Sequence, residues 1–472
     1  MDSFNEASQA FLAWLRGTGA EVSDKIELKD LRNLQAGRGV VATQDIQEDE
    51  LLFRVPRSAL LTVDNSILAS EIPKATFDHL GPWLSLILVM LYEHINGATS
   101  NWAPYFNILP SEFNTLMFWE DDELAELQGS LVLQKIGRAS ADENFKKELV
   151  PVIKEFAGVF FSGDERAKER AEEMASPQNL MLMHKMASLI MAYAFDVEPA
   201  NSSKVADEEG YVSEDEDEAL PKGMVPMADM LNADADRNNA LLFYEEEFLS
   251  MKATVPIKAG DEIFNDYGPL PRSDLLRRYG YVTDNYAQYD VVEIPFDLLT
   301  HLATEQKIFA QDRLEYLDEQ GVIDSGYDIC ASDPYTIQES VSPELIVLIE
   351  TLLVPADEFE RLKRKEKLPK PEKMTTKAAE LLLQLVQART SQYATTLEED
   401  TRTDADVNME GNDTLKERRF AMAKAVRIGE KVLLRKAEHA LRQFIQDKSM
   451  ESGANKRQAF EEEARPGKKQ RS

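Results

Sequence analysis

Strand-forming text occurs in two blocks that are far apart. The first lies in GRGVVATQDIQEDELLFRVP, with β-rich runs at Val40–Ala42 and Leu51–Val55 around an acidic turn and a stop at Pro56. The second lies at Ala240–Tyr244, Leu249–Val255 and Glu262–Asn265, with turns at Glu245–Glu247 and Lys258–Asp261. Between them, from about Asp64 to Val197, apolar residues recur every three or four positions. PWLSLILVMLYEHIN, DENFKKELVPVIKEFAGVF and NLMLMHKMASLIMAYAF all read as helix. The chain therefore carries a helical block inside a strand-bearing region.

The flanks follow the same logic. Ser3 and Glu6 have capping-box spacing, and Phe4, Ala7, Phe11, Leu12 and Leu15 form a helical stripe that Gly17 or Gly19 ends. After about Asp290 helical text returns at Pro343–Leu353, Lys377–Tyr393 and Leu415–Ile445, the last two suiting a helical hairpin around Thr401–Asn412. NSSKVADEEGYVSEDEDEAL, residues 201–220, is dense in like charge and reads as a disordered acidic loop, with Ser213 placed for acidic-directed phosphorylation. The fold class is α+β. The expected divisions are a β-rich domain over 1–285 with a helical insertion at about 64–200, a helical domain over 290–447, and a disordered tail over 448–472.

Composition narrows the function. A net charge of −32 over 472 residues excludes nucleic-acid binding through the bulk field. It suits attraction to a very basic protein, or solubility alone. A single cysteine, Cys330, precludes an internal disulfide and a cysteine-cluster zinc site. The five histidines lack metal-ligand spacing, and no metal is expected. MDSFNEASQAFLAWLRG lacks a signal-peptide pattern, and the apolar run Leu84–Tyr92 is too short to span a bilayer, so no membrane partner is expected.

The chemistry must come from turns, an asparagine and tyrosines. GRG at 37–39 lets the backbone approach a ligand closely, but it is neither a dinucleotide fingerprint nor a P-loop. In MADMLNADADRNN, Asn232 either caps a turn or offers an amide to a polar ligand. Asp234, Asp236 and Asn238 lack the glycine and the glutamate of a calcium loop. IFNDYGPLPRSDLLRRYGYV places two Tyr-Gly pairs, Tyr267-Gly268 and Tyr279-Gly280, just after a strand.

The ordered set GRG, LNADAD, EIFNDYG and LLRRYGYV resembles a SET-domain lysine methyltransferase, and more narrowly the Rubisco large-subunit methyltransferase-like branch, over about residues 1–445. Within it the chain most resembles the enzymes that methylate ribosomal-protein lysines. The resemblance implies a SET domain with its pseudoknot and an all-α substrate-binding domain. It implies S-adenosylmethionine held by Gly37, Arg38, Gly39, Asn232, Ala233 and Tyr267. Tyr267 matches the family's catalytic tyrosine, and Tyr193, Tyr279 and Trp119 match substrate-lysine contacts. Ala233 stands where the family usually has histidine, a tolerable change if that histidine acts through its backbone. A monomer acting on a basic, ribosomal protein follows, with a histone or other nuclear protein, or a non-catalytic binding module, as alternatives. Lys456-Arg457 and Lys468-Lys469 resemble a bipartite nuclear signal.

Overall fold

The computed structural model describes residues 3–34, 36–197, 220–402 and 414–463. Ser213 and almost all of the acidic run 201–220 lie outside the described residues, as do Lys468-Lys469 and the side chains of Lys456 and Arg457. The chain forms two compact units: Met1–Trp119, Ile136–Leu270 and Asp274–Tyr281 make the first, and Glu120–Lys135, Pro271–Ser273 and Val282–Ser472 the second.

In the first unit, helix α1 (Ser3–Gly17) is followed by strands β1 (Glu21–Val22), β2 (Ile26–Asp30), β3 (Arg38–Ala42) and β4 (Leu51–Pro56). Helices α2 (Lys74–Asn96), α3 (Ala103–Phe106) and α4 (Pro177–Tyr193) belong to the insertion. The chain then returns through β5 (Ala194–Asp196), β6 (Lys222–Met224), β7 (Asn232–Ala233), β8 (Ala240–Tyr244), β9 (Phe248–Ala253), β10 (Glu262–Asn265) and helix α5 (Arg272–Tyr279).

Two four-stranded sheets have the orders β1-β4-β9-β8 and β2-β3-β10-β7. Each therefore joins strands from both sides of the insertion. All pairs are antiparallel except β10 with β7, which sets Phe264 opposite Asn232 and Asn265 opposite Ala233. A further antiparallel pair, β5 with β6, brings the end of α4 beside Lys222–Met224.

Helix α2 is broken at Gly81, whose φ of 70° precedes Pro82. By length and apolarity alone α2 could cross a membrane, yet Leu84–Tyr92 is buried throughout. Its Leu86, Leu88 and Met90 belong to one apolar core with Val40, Val55, Leu249 and Met251 from the strands. The text DENFKKELVPVIKEFAGVF forms several short helical turns, because Pro151 cannot continue the bonding of the preceding turn.

The second unit is mostly helical around one antiparallel ribbon, β11 (Val291–Pro295) with β12 (Gly326–Cys330). Helices α6 (Pro343–Leu353), α7 (Thr376–Thr390) and α8 (Leu415–Glu463) share its core through Leu345, Leu382, Leu385, Leu434 and Leu441.

Two expectations are revised. Glu120–Lys135 belongs to the second unit and not to the insertion, because Arg419 pairs with Glu123 at 2.5 Å and Ser130 Oγ donates to Glu430 at 2.6 Å. The disordered tail does not begin at Lys448, since α8 continues to Glu463. No proline interrupts that stretch before Pro466, and its Glu, Gln, Ala, Lys and Arg residues are strong helix formers.

Candidate active site

The glycine loop enters β3 against the end of β10. Gly37 has φ of +65°, and nothing lies within 4 Å of where a Cβ would stand. Gly39 is the opposite case. A Cβ there would lie 2.5 Å from Leu31 Cδ1, 2.8 Å from Glu262 Oε1 and 3.1 Å from Asn232 Nδ2. Glycine is needed at 39 for space and at 37 for conformation.

Asn232 holds this corner together: its Nδ2 donates to Glu262 Oε1 at 2.7 Å and to Ala36 O at 3.2 Å. The amide thus braces the loop carrying Gly37 and Gly39 and does not cap the turn that follows it. The turn after it is closed by Asp234, whose Oδ1 accepts from the N–H groups of Asp236 and Arg237 at 3.0 Å each. Ala233 pairs with Asn265 in the parallel register, which leaves its backbone fixed whatever its side chain.

Arg38 turns away from this corner. Its guanidinium donates to Ser8 Oγ at 3.0 Å and Ile108 O at 2.7 Å, and sits 3.9 Å over the Phe4 ring. What Arg38 offers a ligand is therefore its peptide group.

The tyrosines converge. Tyr267 and Tyr279 stack with centroids 4.2 Å apart and planes 10° from parallel, and Tyr281 meets Tyr279 edge-on at 6.4 Å. Tyr193, the last residue of α4, acts electrostatically on the hydroxyls of both Tyr267 and Tyr279. Burial pushes Tyr193 and Tyr279 up to about 12, and it also raises Tyr267 well above its ordinary value, with Tyr279 the next contributor. These hydroxyls stay protonated at neutral pH. Tyr267 Oη lies 3.5 Å from Leu231 O, too long for a strong bond, so the hydroxyl is weakly held.

Trp119 has a different place. It is 1% exposed and donates its indole N–H to Asn114 O at 2.8 Å, while Asn114 Nδ2 donates to Gly280 O at 2.9 Å. The substrate contact that the resemblance implies for Trp119 stands as a proposal beside this packing role. The indole braces the segment against which Gly280, with φ of +77°, turns the chain behind Tyr279.

Two groups escaped the sequence reading. Asp229 is 5% exposed and accepts through Oδ2 from the hydroxyl of Tyr105, a residue of α3. It also acts electrostatically on Tyr193 and Tyr267. The available signal was a lone acid in the apolar run Met224–Leu231.

The glycine loop is tied to Asn232 through Ala36, and the tyrosine cluster reaches the adjacent Leu231 through the Tyr267 hydroxyl. The comparisons give the class. The SET domain model matches residues 37–268, and the Rubisco LSMT substrate-binding model matches 304–434. Ribosomal lysine N-methyltransferase 4 of Saccharomyces cerevisiae is 38% identical over 357 residues, 74% of this chain and 68% of that one. N-lysine methyltransferase SETD6 of Mus musculus is 31% identical over 378 residues, 76% and 73% of the two chains. Among solved structures, the SET domain of LSMT bound to lysine and AdoHcy has a TM-score of 0.63 at 22% identity, covering 93% of this chain and 92% of that one. Rubisco LSMT bound to AdoMet scores 0.63 over the same shares. The chain belongs to the SET-domain protein-lysine N-methyltransferases with a Rubisco LSMT-type substrate-binding domain.

Proposed function

We propose that this enzyme methylates a lysine on a basic ribosomal protein of the large subunit, with S-adenosylmethionine as donor. The observation that carries the ribosomal reading is the likeness to the yeast enzyme named for ribosomal lysine, at 38% identity. The net charge of −32 supports a basic partner, since opposite charge speeds encounter.

The loop residues suit the donor. Gly37, Arg38 and Gly39 would hold it through peptide groups, with Asn232 and Ala233 alongside and Tyr267 at the reacting end. Nothing lies within 4 Å of where a Cβ on Gly37 would stand, and the Arg38 guanidinium is engaged elsewhere. When bound, S-adenosylmethionine supplies an activated methyl on a sulfonium.

The chain's own part is to prepare the amine. A free lysine has a pKa of about 10.4 and is charged at neutral pH. Enclosure by Tyr193, Tyr267 and Tyr279 favours the neutral form, because desolvation penalises the cation. The aromatic faces first accept the ammonium. The weakly held Tyr267 hydroxyl then orients the nitrogen, the role that makes it the proposed catalytic residue. Correct alignment is worth on the order of 7–11 kcal/mol.

A second reading, a histone or other nuclear protein, draws on the SETD6 relatives, whose names specify a lysine and no ribosome. Incubation with labelled S-adenosylmethionine and either purified large-subunit proteins or core histones separates the two. Mass spectrometry should locate the label on a lysine of a large-subunit protein. Label on histones alone overturns the ribosomal reading. Residence in the nucleus is part of the same proposal, through Lys456-Arg457 and Lys468-Lys469. A tagged chain lacking residues 454–472 should leave the nucleus, and continued nuclear residence refutes the signal.

A further inference from the structure

The second unit carries a local concentration of positive charge. Seven of the thirteen residues 361–373 are lysine or arginine and two are glutamate, which runs against a chain whose net charge is −32. Lys363, Arg364, Lys365, Lys367, Lys370 and Lys373 are all exposed. None of these six forms an ion pair among the described residues, whereas Arg361 pairs with Glu358 at 2.8 Å.

The backbone beneath these side chains is anchored. The helix Ala356–Arg364 is pinned by Phe359, which is buried edge-on to Tyr316 with ring centroids 5.8 Å apart. Glu366, with φ of 50°, turns the chain off the helix, and the Lys367 N–H donates to Leu362 O at 3.1 Å. The Tyr316 hydroxyl donates to Lys367 O at 3.1 Å. Pro369 and Pro371 then favour extended backbone at Leu368 and Lys370, and buried Met374 fixes the far end. Lys367, Lys370 and Lys373 therefore recur every third residue along a held segment.

Helix electrostatics accounts for only part of this charge. Arg361, Lys363 and Arg364 lie in the last turn, where cations complement the negative end of the helix dipole. Lys367, Lys370 and Lys373 lie past that end, and the dipole effect falls off within a turn. Like charges held side by side repel, and an anionic partner relieves them.

The bulk field does not choose that partner. At physiological salt exposed charges more than ~8 Å away are largely screened, so a partner at this surface meets the lysines themselves. The segment lies within residues 304–434, matched by the Rubisco LSMT substrate-binding model. A positive surface there repels a free basic protein, the acceptor proposed above. It attracts the same acceptor when RNA accompanies it, as in a ribosome. Residues 361–373 include no aromatic side chain and Phe359 is buried, so the contact is with phosphates and not with stacked bases.

We propose that residues 361–373 form a binding surface for the phosphate backbone of RNA, through which the enzyme takes its acceptor as an RNA-bound ribosomal protein. The RNA contact stands on the surface itself, and its link to the acceptor rests on the ribosomal reading.

Fluorescence anisotropy of the full chain with a labelled single-stranded RNA of about 20 bases should give a dissociation constant of about 1–100 µM that weakens steeply with salt. The triple variant Lys367→Gln, Lys370→Gln, Lys373→Gln should bind at least ~10-fold more weakly and flatten the logarithmic salt slope by about 2, since each single-strand phosphate contact contributes about 0.7. Its melting temperature should match wild type, because all three side chains are exposed. Lys74→Gln, Lys146→Gln, Lys168→Gln removes equal charge from exposed positions of the first unit and should leave RNA binding unchanged. No RNA binding by the wild type, or an equal loss in the two triple variants, overturns the proposal. So does stronger displacement of the RNA by poly-L-glutamate or by phosphatidylserine vesicles at equal charge, which marks an acidic protein or a membrane as the occupant.

Methyl transfer then tests the acceptor, with large ribosomal subunits from cells lacking this enzyme beside the proteins extracted from them. Intact subunits should be methylated at least ~10-fold faster, and the Lys367, Lys370, Lys373 variant should lose that preference. Faster transfer to the extracted proteins overturns the RNA-bound acceptor. Label on nucleosomes and on neither ribosomal preparation puts DNA in the place of RNA and overturns the ribosomal reading itself.

Discussion

Tyr267 and Tyr279 form one unit, not two independent contacts. Their stacked rings contribute about 0.5–1.5 kcal/mol beyond burial and fix each other's orientation. Neither hydroxyl can serve as a base at neutral pH, because burial holds both far above it. Their contribution is enclosure and direction. Enclosure favours the neutral amine. Asn232 works at the same scale. It is a bridge between two segments that meet only in the fold, the loop at Ala36 and the strand at Glu262.

At the scale of elements, the second Tyr-Gly is a turn built against a neighbour. A Cβ on Gly280 would lie 2.7 Å from Asn114 C and 2.8 Å from Thr115 N, at φ of +77°. Both atoms are backbone and cannot yield easily. Gly280→Ala should destabilise the protein by more than ~1 kcal/mol and lower its melting temperature, whereas Gly17→Ala, which meets nothing within 4 Å, should not. Equal melting temperatures for the two variants would contradict this account of the turn. The strands β3, β4, β8 and β10 were legible because alternation and turn residues bound them. The two-residue β1 and β7 were not, since a pair of residues carries no period. The ribbon β11–β12 was hidden in text read only as helical, because every one of its pairs joins residues more than 30 positions apart. At the site, the glycines, Asn232 and the two later tyrosines stood out by spacing, and Tyr193 by resemblance. Asp229 and Tyr105 did not, because only the fold brings residues 105, 193, 229 and 267 together. Trp119 was placed at the substrate by resemblance alone, and what the fold adds is that its indole braces the segment behind Gly280.

At the scale of the whole molecule, the insertion and the sheets are one construction. The helices from Lys74 to Tyr193 lie between strands that must pair, so the first unit cannot close until the chain has returned at β9 and β10. That closure is what sets the glycine loop, read near the N-terminus, beside tyrosines more than 200 positions later. The charge of −32 belongs to this scale also, as a field that a basic protein would meet before any contact. The central claim is that the tyrosine cluster is where methyl transfer to lysine occurs, with Tyr267 as the orienting hydroxyl. Its most direct test is the turnover of Tyr267→Phe beside wild type, with labelled S-adenosylmethionine and the large-subunit proteins as acceptors. Unchanged melting temperature, with methyl transfer lowered at least ~100-fold, is the predicted result. Wild-type turnover from the phenylalanine variant would contradict it.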